Sequence, residues 1–277
     1  MTDIDMASSE EEAKDRNFVT ALARGLDVLR AFQPGESQLS NTDIAERTGL
    51  PKPTISRLTH TLCKLDYLVA DASSGNYRLG AGVLRLGFGV LSGLEMADRA
   101  ADLLKSLIEG PNSYVTAALG ERHRLEVLYV AVQRSRENVT LAMHVGSRLP
   151  LFESAMGRAI LVAMSEEERA SVFADARAEE PELFDVRMEM YRAAEAEFRA
   201  HGFCSGYGDW RKDVNGISVP VHALDDRRIF AVNVGGPSFH VKKKQLETQY
   251  AEKLIEVSDM LSSRQGRPER ESGPTSD

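Results

Sequence analysis

Residues 40–64, SNTDIAERTGLPKPTISRLTHTLCK, constrain the fold of this chain more than any other stretch. Ser40 followed three residues on by Asp43 is a capping-box pattern, which satisfies free N–H groups where a helix starts. Ile44 and Ala45 are then the inward positions of that helix. Gly49 stands where the chain must turn sharply, and a left-handed backbone is cheap there only for glycine. Pro53 suits the first turn of the next helix, because its missing N–H would have no partner there. Ile55, Leu58, Leu62 and Leu65 follow at steps of three, four and three, which makes one apolar stripe. Steps of 100° per residue put Ser56, Arg57, His60 and Lys64 on the opposite side. No acid lies between Pro51 and Leu65. A short helix with one buried stripe and one cationic, hydrogen-bonding face suits the DNA major groove. The competing reading is an ordinary helical hairpin with solvated charges.

The flanking residues favour DNA. Tyr67-Leu68-Val69 reads as a strand, Ser73-Ser74-Gly75 as a turn and Tyr77-Arg78-Leu79 as a returning strand. A hairpin directly after such a helix is a wing, and its arm carries Asn76 and Arg78 toward a phosphate or the minor groove. Ahead of the motif, Val19, Leu22, Leu26 and Leu29 form the expected inward stripe of a first helix. Three helices and a hairpin make a complete small domain over residues 18–80. On the recognition face, Ser56 and Arg57 are the candidates for base edges. Lys52, Thr54, His60, Lys64 and Arg78 are the candidates for phosphates or the wing groove.

A net charge of −8 is unusual for a DNA binder, so its distribution matters. Residues 1–17 hold six acids against Lys14 and Arg16, and read as an acidic, disordered tail. Residues 18–80 hold seven Lys/Arg against six acids, so the excess of acid lies elsewhere. Modest non-specific affinity follows, with binding that leans on dimerisation and base contacts as well as charge. No apolar run reaches membrane-spanning length, and Cys63 and Cys204 suggest no disulfide framework. A cytoplasmic setting is expected, without membrane attachment and without cofactor.

Residues 81–98 read as a linker helix interrupted by Gly87, Gly89 and Gly93, whose spacing is not a nucleotide fingerprint. Beyond Pro111 the pattern changes. Strands are expected at residues 114–119, 125–132 and 139–145, then a helix at 154–164 and acidic helices from Ser165 and over 181–200. Two further strands follow at residues 217–221 and 228–234, joined by a turn at Asp225-Asp226. Tyr250, Leu254, Val257 and Leu261 mark a last amphipathic helix. Strands at both ends with helices between give an α+β sheet domain over residues 99–263. Residues 264–277 read as a disordered tail.

The chain resembles the IclR family of bacterial transcriptional regulators. The resemblance is carried in order by the opening Thr20-Ala21-Leu22-Ala23-Arg24-Gly25-Leu26-Asp27-Val28-Leu29, by TDIAERTGLPKPTISRLTHTL and by the wing GNYRLG. It continues through Val145-Gly146-Ser147-Arg148-Leu149-Pro150-Leu151, then Ala155-Met156-Gly157-Arg158-Ala159, Ile217-Ser218-Val219-Pro220-Val221 and Val232-Asn233-Val234-Gly235-Gly236-Pro237. The resemblance implies an N-terminal winged helix-turn-helix domain, the linker helix and a C-terminal α+β sensor-like sheet domain that binds an effector. It also implies a double-stranded DNA operator, near-palindromic, read by a homodimer or a dimer of dimers, and control by a small organic acid.

The resemblance places effector contacts at Ala155, Met156, Gly206, Gly216, Ile217, Ser218, Asn233 and Gly235. Free N–H groups at the start of the helix after Ser154 favour a carboxylate. Gly206, Gly216 and Gly235 stand where relatives often carry Asp, Cys and Ser, so each is expected to remove a polar group and open volume. That favours an aromatic or cyclic acid. Asp209 and Trp210 are further effector-site candidates, Trp210 being either a wall for a ring or a surface and dimer contact. Asn215 and Asn233 either orient the ligand or make structural hydrogen bonds. Two other classes are weaker: a protein-interaction module with a degenerate wing, and an enzyme using Cys204 or Asp209, for which no clustered signal exists.

Overall fold

Ser40 starts its helix as the capping box demands. In the computed structural model, which describes residues 18–33, 36–92, 95–135, 137, 143–223 and 228–262, Ser40 Oγ accepts the Asp43 N–H at 3.2 Å. Asp43 Oδ2 accepts the Ser40 N–H at 2.8 Å. The chain divides into two compact units, Met1–Gly93 and Leu94–Asp277. The first holds α1 (Thr20–Arg30), α2 (Asn41–Thr48), α3 (Lys52–Lys64), a hairpin of β1 (Leu68–Ala70) and β2 (Tyr77–Leu79), and α4 (Ala81–Ser92). Gly49 ends α2 at φ 67°, and Pro53 lies in the first turn of α3. Leu39 bridges to Tyr77, tying the strand pair back to the helices.

Two apolar stripes differ from expectation. Val19, Leu22 and Leu26 are 61%, 63% and 42% exposed, whereas Val28, Ala31 and Phe32 enter the core with Ile44, Ile55, Leu62 and Leu68. α1 carries a second, shorter apolar face through Val28, and the fold buries that one. Leu65 is 57% exposed because α3 ends at Lys64 and Asp66 then takes φ 62°. Thr59 fills the inward position instead, its hydroxyl donating to Ile55 O at 3.0 Å.

Arg47 joins α2 to the end of α1, donating to Ala31 O at 2.8 Å and to both Glu36 carboxylate oxygens at 2.5 and 2.7 Å. The guanidinium holds the Glu36 carboxyl down from 4.5 to about 2. A carboxyl lowered on folding contributes in full above its ordinary value, and that contribution is lost as pH falls through about 2. The stability difference between wild type and Arg47→Ala is therefore expected to be constant above about pH 5. It should fall toward pH 2 to a remainder set by the bond to Ala31 O, which does not titrate, as read by urea unfolding across pH.

The second unit is a six-stranded antiparallel sheet in the order β5-β4-β3-β8-β7-β6. After α5 (Glu95–Ile108) come β3 (Thr116–His123), β4 (Glu126–Gln133) and β5 (Arg148–Pro150). The helices α6 (Ala155–Ala163), α7 (Glu166–Glu179) and α8 (Phe184–His201) follow, then β6 (Cys204–Tyr207), β7 (Val214–His222), β8 (Ile229–Pro237) and α9 (Ala251–Ser262). α6 packs on β7 and β8 from one side, while α9 also packs on those strands and α5 on β3 and β4. β7 is buried continuously from Gly216 to Val221, so both of its faces are covered.

The expected third strand at residues 139–145 falls mostly outside the described residues, as do both tails and the Asp225-Asp226 turn. The short strand of that region is β5, and Met143–Val145 belongs to no strand. β6 goes unmarked in the sequence because CSGY offers small residues in place of an alternating apolar pattern.

Candidate functional site

On α3, Lys52, Ser56, Arg57, His60 and Lys64 are exposed and Thr54 is half-buried. Arg57, His60 and Lys64 make no ion pair among the described residues. Ser56 sits at the base of this face, where its hydroxyl donates to Lys52 O at 3.1 Å and accepts from Asn41 Nδ2 at 3.4 Å. The buried stripe of Ile55, Thr59 and Leu62 fixes the opposite side of the helix, so the cationic side must face water. Arg78 is exposed on β2. The wing turn is held by Asp71, which accepts the Ser73 N–H at 2.8 Å, the Ser73 hydroxyl at 2.7 Å and the Ser74 hydroxyl at 2.9 Å. Those three bonds hold the Asp71 carboxyl well below the usual carboxylate range. The unit thus offers a helix surface of uncommitted donors beside a rigid hairpin.

The second unit contains a cavity of about 510 Å³, counting its mouth, between the start of α6 and the sheet. Nine of the expected positions line it: Ala155, Met156, Gly206, Asp209, Trp210, Asn215, Gly216, Asn233 and Gly235. Ser154 caps α6, accepting the Gly157 N–H at 3.1 Å and donating to Pro150 O at 2.6 Å. The N–H groups of Ala155 and Met156 precede any intrahelical acceptor and border the cavity. The helix can lie this close because residue 157 is glycine, where a Cβ would stand 1.9 Å from Leu151 O.

Two expected positions do not line the cavity. Neighbouring strand residues face opposite sides of a sheet, so Ile217 points away from Gly216. Ser218 shares the face of Gly216 but is fully buried, its hydroxyl donating to Val232 O at 2.8 Å. The expectation that three glycines open volume also needs correction. A Cβ on Gly216 would stand 3.1 Å from Asn233 Nδ2, and one on Gly235 only 2.7 Å from Asn215 O. Neighbouring groups already occupy those spaces. Gly206 faces Ala155 N and Arg158 Nη2, at 3.2 and 3.3 Å from where its Cβ would be.

The carboxylates in the wall are matched by arginines. Arg158, 7% exposed, donates to Asp209 Oδ2 at 2.5 Å, and its Nε is buried without a partner. Glu153 accepts from Arg187 Nε at 3.2 Å, and Arg187 also pairs with Glu180. Asn215 makes a structural bond, donating to Val241 O at 2.9 Å, and Trp210 packs partly buried against the core. Thr116, Tyr129, Leu149, Glu153, Arg211 and Val214 also line the cavity and were not anticipated. The Cys204 thiol is fully buried and pushed up to about 12 by that burial, the reverse of what a nucleophile needs. No cluster of three or more metal-ligating side chains forms among the described residues. No helix among them is long and apolar enough to cross a membrane.

Comparison with known proteins assigns both units. The IclR helix-turn-helix domain profile matches residues 21–72, and that of the bacterial transcriptional regulator IclR C-terminal domain matches residues 88–263. The chain is 32% identical over 223 residues to the HTH-type transcriptional regulator TsaQ1/TsaQ2 of Comamonas testosteroni, covering 80% of this chain and 79% of that protein. A crystal structure of an IclR family transcriptional regulator from Brucella abortus is 42% identical, with a TM-score of 0.77 and coverage of 90% of this chain and 93% of that one. An IclR homologue from Microbacterium hydrocarbonoxydans, solved in complex with 4-hydroxybenzoate, shares the fold at 23% identity and a TM-score of 0.68, covering 87% and 97%. Family members regulate transcription and are not enzymes, which removes the catalytic reading of Cys204 and Asp209. With a DNA-binding helix-turn-helix unit followed by an effector-binding unit, this chain belongs to the IclR family of bacterial transcriptional regulators.

Proposed function

We propose that this regulator binds a near-palindromic operator as a homodimer or a dimer of dimers and is switched by an aromatic or cyclic organic acid. The observation that carries the DNA half is the exposed, ion-pair-free row of Arg57, His60 and Lys64 on α3. Arg57 and Ser56 contact base edges in this reading, while Lys52, Thr54, His60, Lys64 and Arg78 contact phosphates or the wing groove. Self-association is supported by exposed apolar side chains on two helices of the first unit. Leu22 on α1 is 63% exposed and Leu84 on α4 is 74% exposed. Apolar faces of this kind mark contact surfaces. The site of action is the cytoplasm, where the operator lies and both cysteines stay free.

The effector half rests on the cavity. Its lining combines apolar and aromatic side chains with a few convergent polar groups, the make-up of a small-molecule site. Trp210 supplies an aromatic wall, and the Ala155 and Met156 N–H groups supply donors for a carboxylate. Binding shifts the protein between arrangements that match or miss the operator spacing, by no more than the ligand's preference for one of them. A thermal-shift series tests this. Benzoate and cyclohexanecarboxylate are expected to raise the midpoint by about 5–10 °C at concentrations some 100-fold above Kd, while acetate leaves it unmoved. Tightest binding of a two-carbon acid would overturn the ring-acid reading.

A further inference from the structure

Tyr129 is 6% exposed and lines the cavity, yet no hydrogen-bond partner for its hydroxyl exists among the described residues. Its oxygen is not among the enclosed polar atoms that lack a partner, so in a residue that lines the cavity the hydroxyl is left available to a bound molecule. The residue is held in place from several sides. Its N–H donates to Ser147 O at 2.9 Å, and its carbonyl accepts the Gly146 N–H at 2.8 Å. In the β3–β4 ladder Leu119 pairs with Ala131 but Gly120 pairs with Tyr129, so Val130 is an extra residue and β4 is bulged there. Bulges commonly re-aim a side chain beside a functional site. Opposite Tyr129, the space a Gly120 side chain would fill is taken by Met156 Sδ, 2.3 Å from the Cβ position. The phenol therefore borders the same space as the second residue of α6. Leu149, Phe152 and Met156 make the surroundings apolar, and burial keeps the phenol neutral as an O–H donor.

We propose that Tyr129 is a ligand-contacting, specificity-determining residue. Its O–H binds a polar substituent on a ring-bearing acid whose carboxylate sits at the Ala155 and Met156 N–H groups. This rests on the ring-acid reading above and adds a second pole to it. A donor that a bound ligand closes off from water discriminates strongly against a ligand that leaves it unpaired.

The test is calorimetric titration of the full-length protein and of Tyr129→Phe with benzoate and its 2-, 3- and 4-hydroxy isomers. The wild type is expected to bind one hydroxy isomer at least about tenfold more tightly than benzoate. Tyr129→Phe should bind that isomer and benzoate about equally, with benzoate itself changed less than about threefold. A merely structural tyrosine would leave the ligand ranking as it was. The proposal is overturned if the wild type does not distinguish the isomers from benzoate, or if the preference survives in Tyr129→Phe. Failure of all four acids to bind the wild type would overturn the ring-acid reading and this proposal together.

Discussion

Arg57→Ala is expected to weaken operator binding by about 30-fold to about 2 × 10⁴-fold while leaving the protein folded. A bidentate hydrogen bond from arginine to a base edge contributes about 1–3 kcal/mol. In the dimer proposed above the contact would be lost at both half-sites, so the two effects would sum to about 2–6 kcal/mol. Folding should hardly register the change. Arg57 is exposed and makes no ion pair among the described residues, and surface substitutions of that kind fall within about 0.5 kcal/mol. Two further outcomes separate base reading from simple charge. Arg57→Ala should relax preference at one base-pair position per half-site, measured by fluorescence anisotropy on a set of point-substituted operators. Lys64→Ala should weaken all sequences alike and reduce the salt slope by about 1 for each phosphate it no longer neutralises. Unchanged affinity and unchanged base preference of Arg57→Ala would show that Arg57 makes no base contact and that other side chains of α3 read the operator.

The determinants of that face are local. The capping box of Ser40 and Asp43, the left-handed Gly49 and the first-turn Pro53 each act within a few residues, so their consequences are legible without any tertiary partner. The exposure of Arg57 and His60 follows from helix periodicity once Ile55 and Leu62 are taken as inward. Where two solutions are locally equivalent, the sequence is silent. Both the Leu22-Leu26 face and the Val28 face of α1 are apolar, and only packing against α3 and its neighbours selects the second.

In the cavity the positions carried by the resemblance located the right strands, but register turns Ile217 away from it and burial removes Ser218. Gly216, Ile217 and Ser218 are consecutive, and a pleated strand cannot turn all three toward one space. The exclusion of Ser218 depends on its burial, whereas that of Ile217 was therefore available from the sequence alone. Tyr129 was not, because the bulge at Val130 breaks the alternation from which its direction would be read. The arginines behind the wall are likewise non-local. Arg158 meets Asp209 across 51 residues, and Arg187 meets Glu153 across 34.

Gly157→Ala is expected to destabilise the second unit by about 3 kcal/mol or more, which lowers its unfolding midpoint by roughly 6–12 °C. A methyl group at that position would lie 1.9 Å from Leu151 O and 2.5 Å from Leu151 C, both of them backbone atoms. Neither can give way cheaply. Leu151 is fully buried, and its N–H donates to Leu125 O at 3.0 Å. Ser154, between the two, is fixed by its bonds to Pro150 and Gly157. The strain is relieved only by moving the first turn of α6 outward, and that turn carries the Ala155 and Met156 N–H groups. Loss of the thermal shift from ring acids should therefore accompany the loss of stability. Gly206→Ala provides the contrast. Its methyl meets Ala155 N at 3.2 Å and a flexible arginine end at 3.3 Å, neighbours that adjust by a few tenths of an ångström. The Gly206 variant should fold close to wild type and bind ligand less well, since the added methyl crowds the start of α6. A Gly157→Ala protein with the wild-type midpoint and full ligand response would show that α6 is not held against Leu151 in the way that positions the cavity.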